Sequence, residues 1–215
     1  MGLAFTQTLA NVYMFEWEQP LVEYQQLLDE RYGRCIDDDF MATNLPRDQI
    51  IAKLDKVHNS DPNIRITYTV KSAVDFLDVA IENNDRQLKT VVFQKPSAEP
   101  YVLPYTSDHP HHVHLNIPYA DLLRVARLCS NVEDFEIERI NIEMSLLLNG
   151  YPPKSIRKQF HRFFDLNNTL PVLKQLDAES YQQLHQKLLY QLFSIPLGHE
   201  SSDDPRCYGE ICHGS

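Results

Sequence analysis

Three consecutive carboxylates, Asp37, Asp38 and Asp39, follow the apolar pair Cys35-Ile36 and precede Phe40-Met41. An apolar run, an acidic tip and a second apolar run form the pattern of a tight β-hairpin with its acids at the turn. Mg²⁺ is a hard ion that prefers carboxylate oxygens, and the mutual repulsion of neighbouring aspartates favours capture of a cation. Two such ions held about 4 Å apart can activate a hydroxyl nucleophile and stabilise a leaving pyrophosphate. Taken alone, the three aspartates read more plainly as a solvated acidic loop.

Cations gather elsewhere. Residues 152–164 carry Lys154, Arg157, Lys158 and Arg162 and no acid, whereas residues 1–39 carry eight acids and two bases. Lys154, Arg157 and Lys158 are spaced i, i+3 and i+4, so one helix face could meet phosphates, or could simply be a solvated basic face. Phe160, Phe163 and Phe164 share that spacing and read as core rather than as base-stacking platforms. His109, His111, His112 and His114 stand between prolines with no regular acidic or cysteine partner, which favours a structural linker over a metal site. Cys35, Cys129, Cys207 and Cys212 form no C-x-x-C pair, so neither a disulfide framework nor a zinc ribbon is expected. Cys207, Cys212 and His213 fit no standard zinc spacing.

The elements that must position these groups come from periodicity. Helical spacing up to about Asp29 predicts a helix, or a pair broken around Pro20. Asn44 and Pro46 predict the start of a helix whose face is Ile50, Ile51, Leu54 and Val57. Alternation predicts strands over 64–70, 76–81 and 88–93. Helices are expected over 119–128, 132–148, 152–164 and 173–193, with Asn149-Gly150 ending the second. The fold class is thus α+β, an antiparallel β region followed by helices only. No apolar run reaches the length of a membrane helix, and a chain without a secretory leader is expected to be intracellular.

Several segments resemble reverse transcriptases (RNA-directed DNA polymerases), most closely those of Penelope-like retroelements. Residues 1–14, MGLAFTQTLANVYM, look like the family stretch M-G-S-P-L-S-P-x-L-A-N-x-Y-M, and residues 32–41, YGRCIDDDFM, look like its catalytic hairpin. Phe76-Leu77-Asp78-Val79 and Gln94-Lys95-Pro96 resemble the strand and continuation that follow. The resemblance runs from Met1 to about Phe164. It implies a partial polymerase palm over 1–110, a helical thumb over 111–195 and a disordered tail over 196–215.

By that resemblance Asp37 and Asp38 would be catalytic and would ligate two Mg²⁺ ions, with Asp37 bridging both, in a nucleotidyltransferase reaction. Gly2, Phe5 and Thr6 would contact nucleotide and template. Lys95, Lys154, Arg157, Lys158 and Arg162 would meet the backbone of an RNA template and DNA primer. Cys35 replaces the usual tyrosine, Asp39 a usual apolar residue and Gln7 a usual proline. The family's first catalytic aspartate belongs to a strand upstream of residue 1, so the chain by itself is expected to be inactive, with an exposed sheet edge open to a partner. The alternative is a non-enzymatic remnant that binds nucleic acid or protein. The net charge of −10 opposes tight nucleic-acid binding by the chain as a whole.

Overall fold

Proline at position 20 does not break the first helix: α1 runs continuously over Ala4–Leu27, with Pro20 inside it. The computed structural model describes residues 4–28, 30–84, 87–95 and 102–193. Among these the chain is α+β, with seven helices and two small antiparallel sheets. They divide into two units, the first ending at Lys71 and the second beginning at Ser72. The expected tail, Cys207, Cys212, His213 and Gly2 lie outside the described residues.

In the first unit, α1 buries Glu18, Leu21 and Gln25 and leaves Phe5, Leu9, Val12 and Phe15 exposed. The hairpin consists of β1 (Arg31–Cys35) and β2 (Asp38–Ala42), with Cys35 opposite Asp38 and Arg31 opposite Ala42. Its turn is therefore Ile36-Asp37 alone, and Asp38 and Asp39 belong to the second strand. Arg34 Nε donates to Glu18 Oε2 at 2.7 Å, and the Tyr32 hydroxyl donates to the same oxygen at 3.1 Å. The carboxylate of Glu18 is thereby satisfied where α1 covers the hairpin.

Helix α2 (Arg47–His58) buries Ile50 and Val57. Pro46 occupies its N-cap position; Asn44 instead gives its backbone N–H to Glu30 Oε1 at 2.6 Å. The strand expected over 64–70 is irregular chain. Alternating apolar residues need a neighbouring strand to become a ladder, and here side chains of α2 take the available bonds. The N–H of Ile66 donates to His58 Nδ1 at 3.2 Å, and the Tyr68 hydroxyl to Asp55 Oδ1 at 2.7 Å.

The second unit opens with an antiparallel meander, β3 (Ala73–Phe76), β4 (Val79–Asn84) and β5 (Gln87–Val92), in the order β3-β4-β5. The single strand expected over 76–81 is in fact a strand end, a two-residue turn at Leu77-Asp78 and the next strand. Five helices follow: α3 (His111–Leu128), α4 (Val132–Leu148), α5 (Pro153–Asn167), α6 (Leu170–Gln175) and α7 (Ala178–Phe193). Helix α3 begins eight residues before the expected Tyr119, because Pro118 sits within it and did not end it. The helix expected over 173–193 is two, separated where Leu176 takes a left-handed conformation at φ 50°.

The core of this unit is aromatic. Phe135 of α4, Phe163 and Phe164 of α5 and Tyr181 of α7 are each fully buried with Leu122 and Ala126 of α3. Ring centroids lie 4.9 Å apart for Phe135–Tyr181 and 5.2 Å for Phe163–Phe164. The Tyr181 hydroxyl, the one polar atom that this packing carries inward, donates to the carbonyl of Cys129 at 2.7 Å. Strand β5 is fastened to the α3–α4 turn by reciprocal bonds: Ser130 N–H to Thr90 O at 2.9 Å and Thr90 N–H to Ser130 Oγ at 3.1 Å.

Cys129 lies fully buried at this junction, and burial pushes its thiol up to about 12. A thiol held above its ordinary value stays protonated and unreactive at neutral pH. In a chain with Cys35, Cys207 and Cys212 replaced by serine, Cys129 should not react with a disulfide reagent at about pH 8 until denaturant is added. Rapid labelling of the folded protein would show that the junction opens freely.

Candidate nucleic-acid interface

The link between α4 and α5 is the four-residue segment Asn149-Gly150-Tyr151-Pro152. Asn149 ends α4, its backbone N–H and its Nδ2 both donating to the Ser145 carbonyl, at 3.1 and 2.8 Å. Gly150 follows at φ +81°, its N–H on the Leu147 carbonyl at 3.1 Å, and the N–H of Tyr151 reaches back to the Leu146 carbonyl at 3.0 Å. This is the Schellman arrangement, and the two residues that close it, Leu146 and Tyr151, are both buried in the same core. The Tyr151 hydroxyl donates to the Leu103 carbonyl at 3.0 Å. Pro152 then stands at the N-cap position of α5, with Pro153 in its first turn, where a missing N–H costs nothing. A tight, fully bonded turn thus fixes how α5 leaves α4.

Helix α5 presents two faces with the same spacing. Ile156, Gln159, Phe160, Phe163 and Phe164 point into the core. Lys154, Arg157, Lys158, His161 and Arg162 are exposed. Both sets step by 3, 1, 3 and 1 positions, so each forms one stripe along the helix. The acid in this helix is Asp165, near its C-terminal end. Arg162 is steadied over the ring of Tyr119 from α3 at 5.6 Å and by Gln159 Oε1 at 3.5 Å. Lys154, Arg157 and Lys158 have no ion-pair partner among the described residues.

Three of the five acids of α4 are ion-paired, two of them with the same arginine. Arg139 donates to Glu136 through two nitrogens, at 2.6 and 2.7 Å, and to Glu143 at 3.3 Å. Lys89 pairs with Asp134 at 2.8 Å. Burial raises the carboxyl of Glu138 above its ordinary value. Glu133 and Glu138 have no ion-pair partner among the described residues, so α4 stays anionic beside the basic stripe.

The expected sites fall on the two units separately. Asp37, Asp38, Phe5 and Thr6 belong to the first and are all exposed. Asp37 is in the turn, and Asp38 and Asp39 are consecutive on a strand, so they lie on opposite faces. Among the described residues no group of three or more His, Cys, Asp or Glu side chains is placed to hold a metal ion. The hairpin is a two-stranded sheet that no third described strand extends. Lys95, Lys154, Arg157, Lys158 and Arg162 belong to the second unit and are exposed.

Histidines 109–114 do not form the expected linker. His111, His112 and His114 lie in the first turn of α3, and His114 is buried against Tyr105 and Tyr151, with ring centroids 5.5 and 6.2 Å away. The sequence reading missed this cluster because the prolines at 110 and 118 suggested a break; Pro110 is in fact the N-cap residue. It also missed His161, whose place on the basic face follows from spacing alone.

Residues 101–161 match the family model of the animal helix-turn-helix domain. The match ends within α5, and so covers α3, α4, the Asn149–Pro152 turn and the basic stripe as far as His161. No reverse-transcriptase family matches, and the stretch expected to join palm to thumb is the one that this model claims. The resemblance to reverse transcriptases is corrected accordingly. No curated protein and no solved structure matches the chain. Among the described residues no helix is long and apolar enough to cross a membrane.

The turn is testable by itself. An added Cβ at Gly150 would meet only Tyr105 Cβ, at 4.0 Å, so the cost of Gly150→Ala is conformational rather than steric. It should destabilise the second unit by about 1–2 kcal/mol, the penalty of a left-handed L-residue, read as a lowered urea midpoint at constant slope. An unchanged midpoint would mean that the turn does not hold α5.

Proposed function

We propose that the second unit binds duplex DNA through the exposed face of α5, in a non-enzymatic role. The observation that carries this reading is the stripe Lys154, Arg157, Lys158, His161 and Arg162 on the helix that follows a tight turn. In helix-turn-helix proteins the second helix enters the major groove, and its long cationic side chains reach phosphates and base edges. The match to a helix-turn-helix family model over these same residues supports that use of α5. The B-form major groove admits a helix, whereas the A-form groove of duplex RNA is too narrow for one. Duplex DNA is therefore the favoured partner over duplex RNA.

The acidic balance of the chain sets the expected strength. Fixed negative charge elsewhere reduces affinity at low salt most, because screening confines each interaction to about 10 Å at 0.1 M ionic strength. Binding should accordingly be modest and led by local cations rather than by the net charge of −10.

Fluorescence anisotropy with a labelled duplex of about twenty base pairs tests this. Replacing Lys154, Lys158 and Arg162 together by glutamine should weaken binding about 10- to 100-fold and flatten the dependence of log K on log salt by up to about three phosphate contacts. A duplex RNA of equal length should compete less well. Absence of wild-type binding at about 50 mM salt, or equal binding by the triple variant, would overturn the reading.

A further inference from the structure

The groove that flanks α5 is lined by Arg139 and Glu143 of α4, Arg157, Phe160 and His161 of α5, and Leu173 and Lys174 of α6, and has a volume of about 350 Å³. Its place in the fold is set by the reversal after α5. Asn168 is left-handed at φ 58°, the N–H of Thr169 donates to the Phe164 carbonyl at 2.9 Å, and Pro171 sits in the first turn of α6. The chain doubles back, and Val172 is buried while Lys174 returns to the side of α5 that bears Arg157 and His161.

The charges in the groove are not balanced. Glu143 is its one carboxylate, and Arg139 already donates to it at 3.3 Å while gripping Glu136 through two shorter bonds. Neither Arg157 nor Lys174 has an ion-pair partner among the described residues. Two uncompensated cations and an imidazole thus face one concavity, over an apolar floor of Phe160 and Leu173. Low-dielectric walls strengthen the attraction for an anion that enters, and a planar guanidinium beside a compact ammonium suits tetrahedral oxygens.

We infer that this groove seats one backbone phosphate of the DNA bound by α5, with Arg157 and Lys174 as its principal ligands and His161 as a third donor. The inference rests on the DNA-binding reading and adds to it a contact from outside the recognition helix. Arg157 is shared between stripe and groove. A phosphate held there would fix the depth and rotation of α5 in the major groove, the positioning role that backbone contacts play.

Lys174 belongs to α6 and not to the α5 stripe, so it separates the two ideas. In the full chain, Lys174→Gln should weaken duplex binding about 3- to 10-fold at about 0.1 M salt. It should reduce the salt slope by about one and do so equally for duplexes of unrelated sequence. Glu143→Gln, which removes the groove's carboxylate, should shift affinity the other way, a direction that a folding defect would not produce. If both variants bind as wild type does while the Lys154, Lys158 and Arg162 variant is defective, the phosphate seat is overturned and the DNA-binding reading stands. If the wild-type chain binds no duplex, both fall.

Discussion

Burial of one face of α5 is the constraint on which the second unit depends. Ile156, Phe160, Phe163 and Phe164 supply the apolar floor against which α3 and α4 close, in a core that Tyr181 of α7 joins through Phe135. A helix has only one such stripe to give, because every buried position at 3.6-residue spacing fixes its neighbours outward. Lys154, Arg157, Lys158, His161 and Arg162 are the residues left on the outside. The aromatic core therefore does more than stabilise: it decides which side chains reach solvent in a row. Tyr181 ties the same core to the α3–α4 turn through Cys129, so rotation of α5 would disturb contacts in three other helices.

The helical half was legible where the sequence carries its own stop signals. Asn149-Gly150 marks the end of α4 as expected, and Asn131, whose side chain accepts from the Asp134 N–H at 2.9 Å, marks its start. Pro118 misled, because no helix was expected before it, whereas at Pro20 a continuous helix was one of the two alternatives. Pro118 and Pro20 sit inside α3 and α1, where neighbouring packing holds the helix despite a lost hydrogen bond. The break at Leu176 was illegible because nothing in a leucine marks a left-handed conformation, which favours glycine or asparagine.

The β regions were less legible. Both two-residue turns, Ile36-Asp37 and Leu77-Asp78, place an apolar residue at positive φ, at 59° and 53°. Such positions favour glycine or asparagine, so the sequence offered no sign of the second turn and drew all three aspartates into the first. The alternation over 64–70 was real, yet period two describes only which side chains share a side; a ladder also needs a partner strand. The likeness to polymerase motifs rested on short segments spread from Met1 to about Phe164, with departures at Gln7, Cys35 and Asp39. A contiguous match over residues 101–161 weighs more than such separate segments.

Net charge does not say where charge sits, and the ion pairs show part of the answer. The value of −10 already includes Arg139 and Lys89, so their pairing with Glu136, Glu143 and Asp134 removes no charge and only fixes where it lies. Partly buried pairs of this kind are screened less by salt than exposed ones, so that arrangement persists under conditions where distant surface charge fades. The cations of α5 face no such partners among the described residues. A polyanion at α5 would meet a positive local face, while α4 keeps an excess of carboxylates, Glu133 and Glu138 among them, that repels it in a salt-sensitive way. A chain of strongly acidic composition can in this way carry a cationic helix face, because the positions of its charges, and not their sum alone, decide what a ligand meets at contact distance.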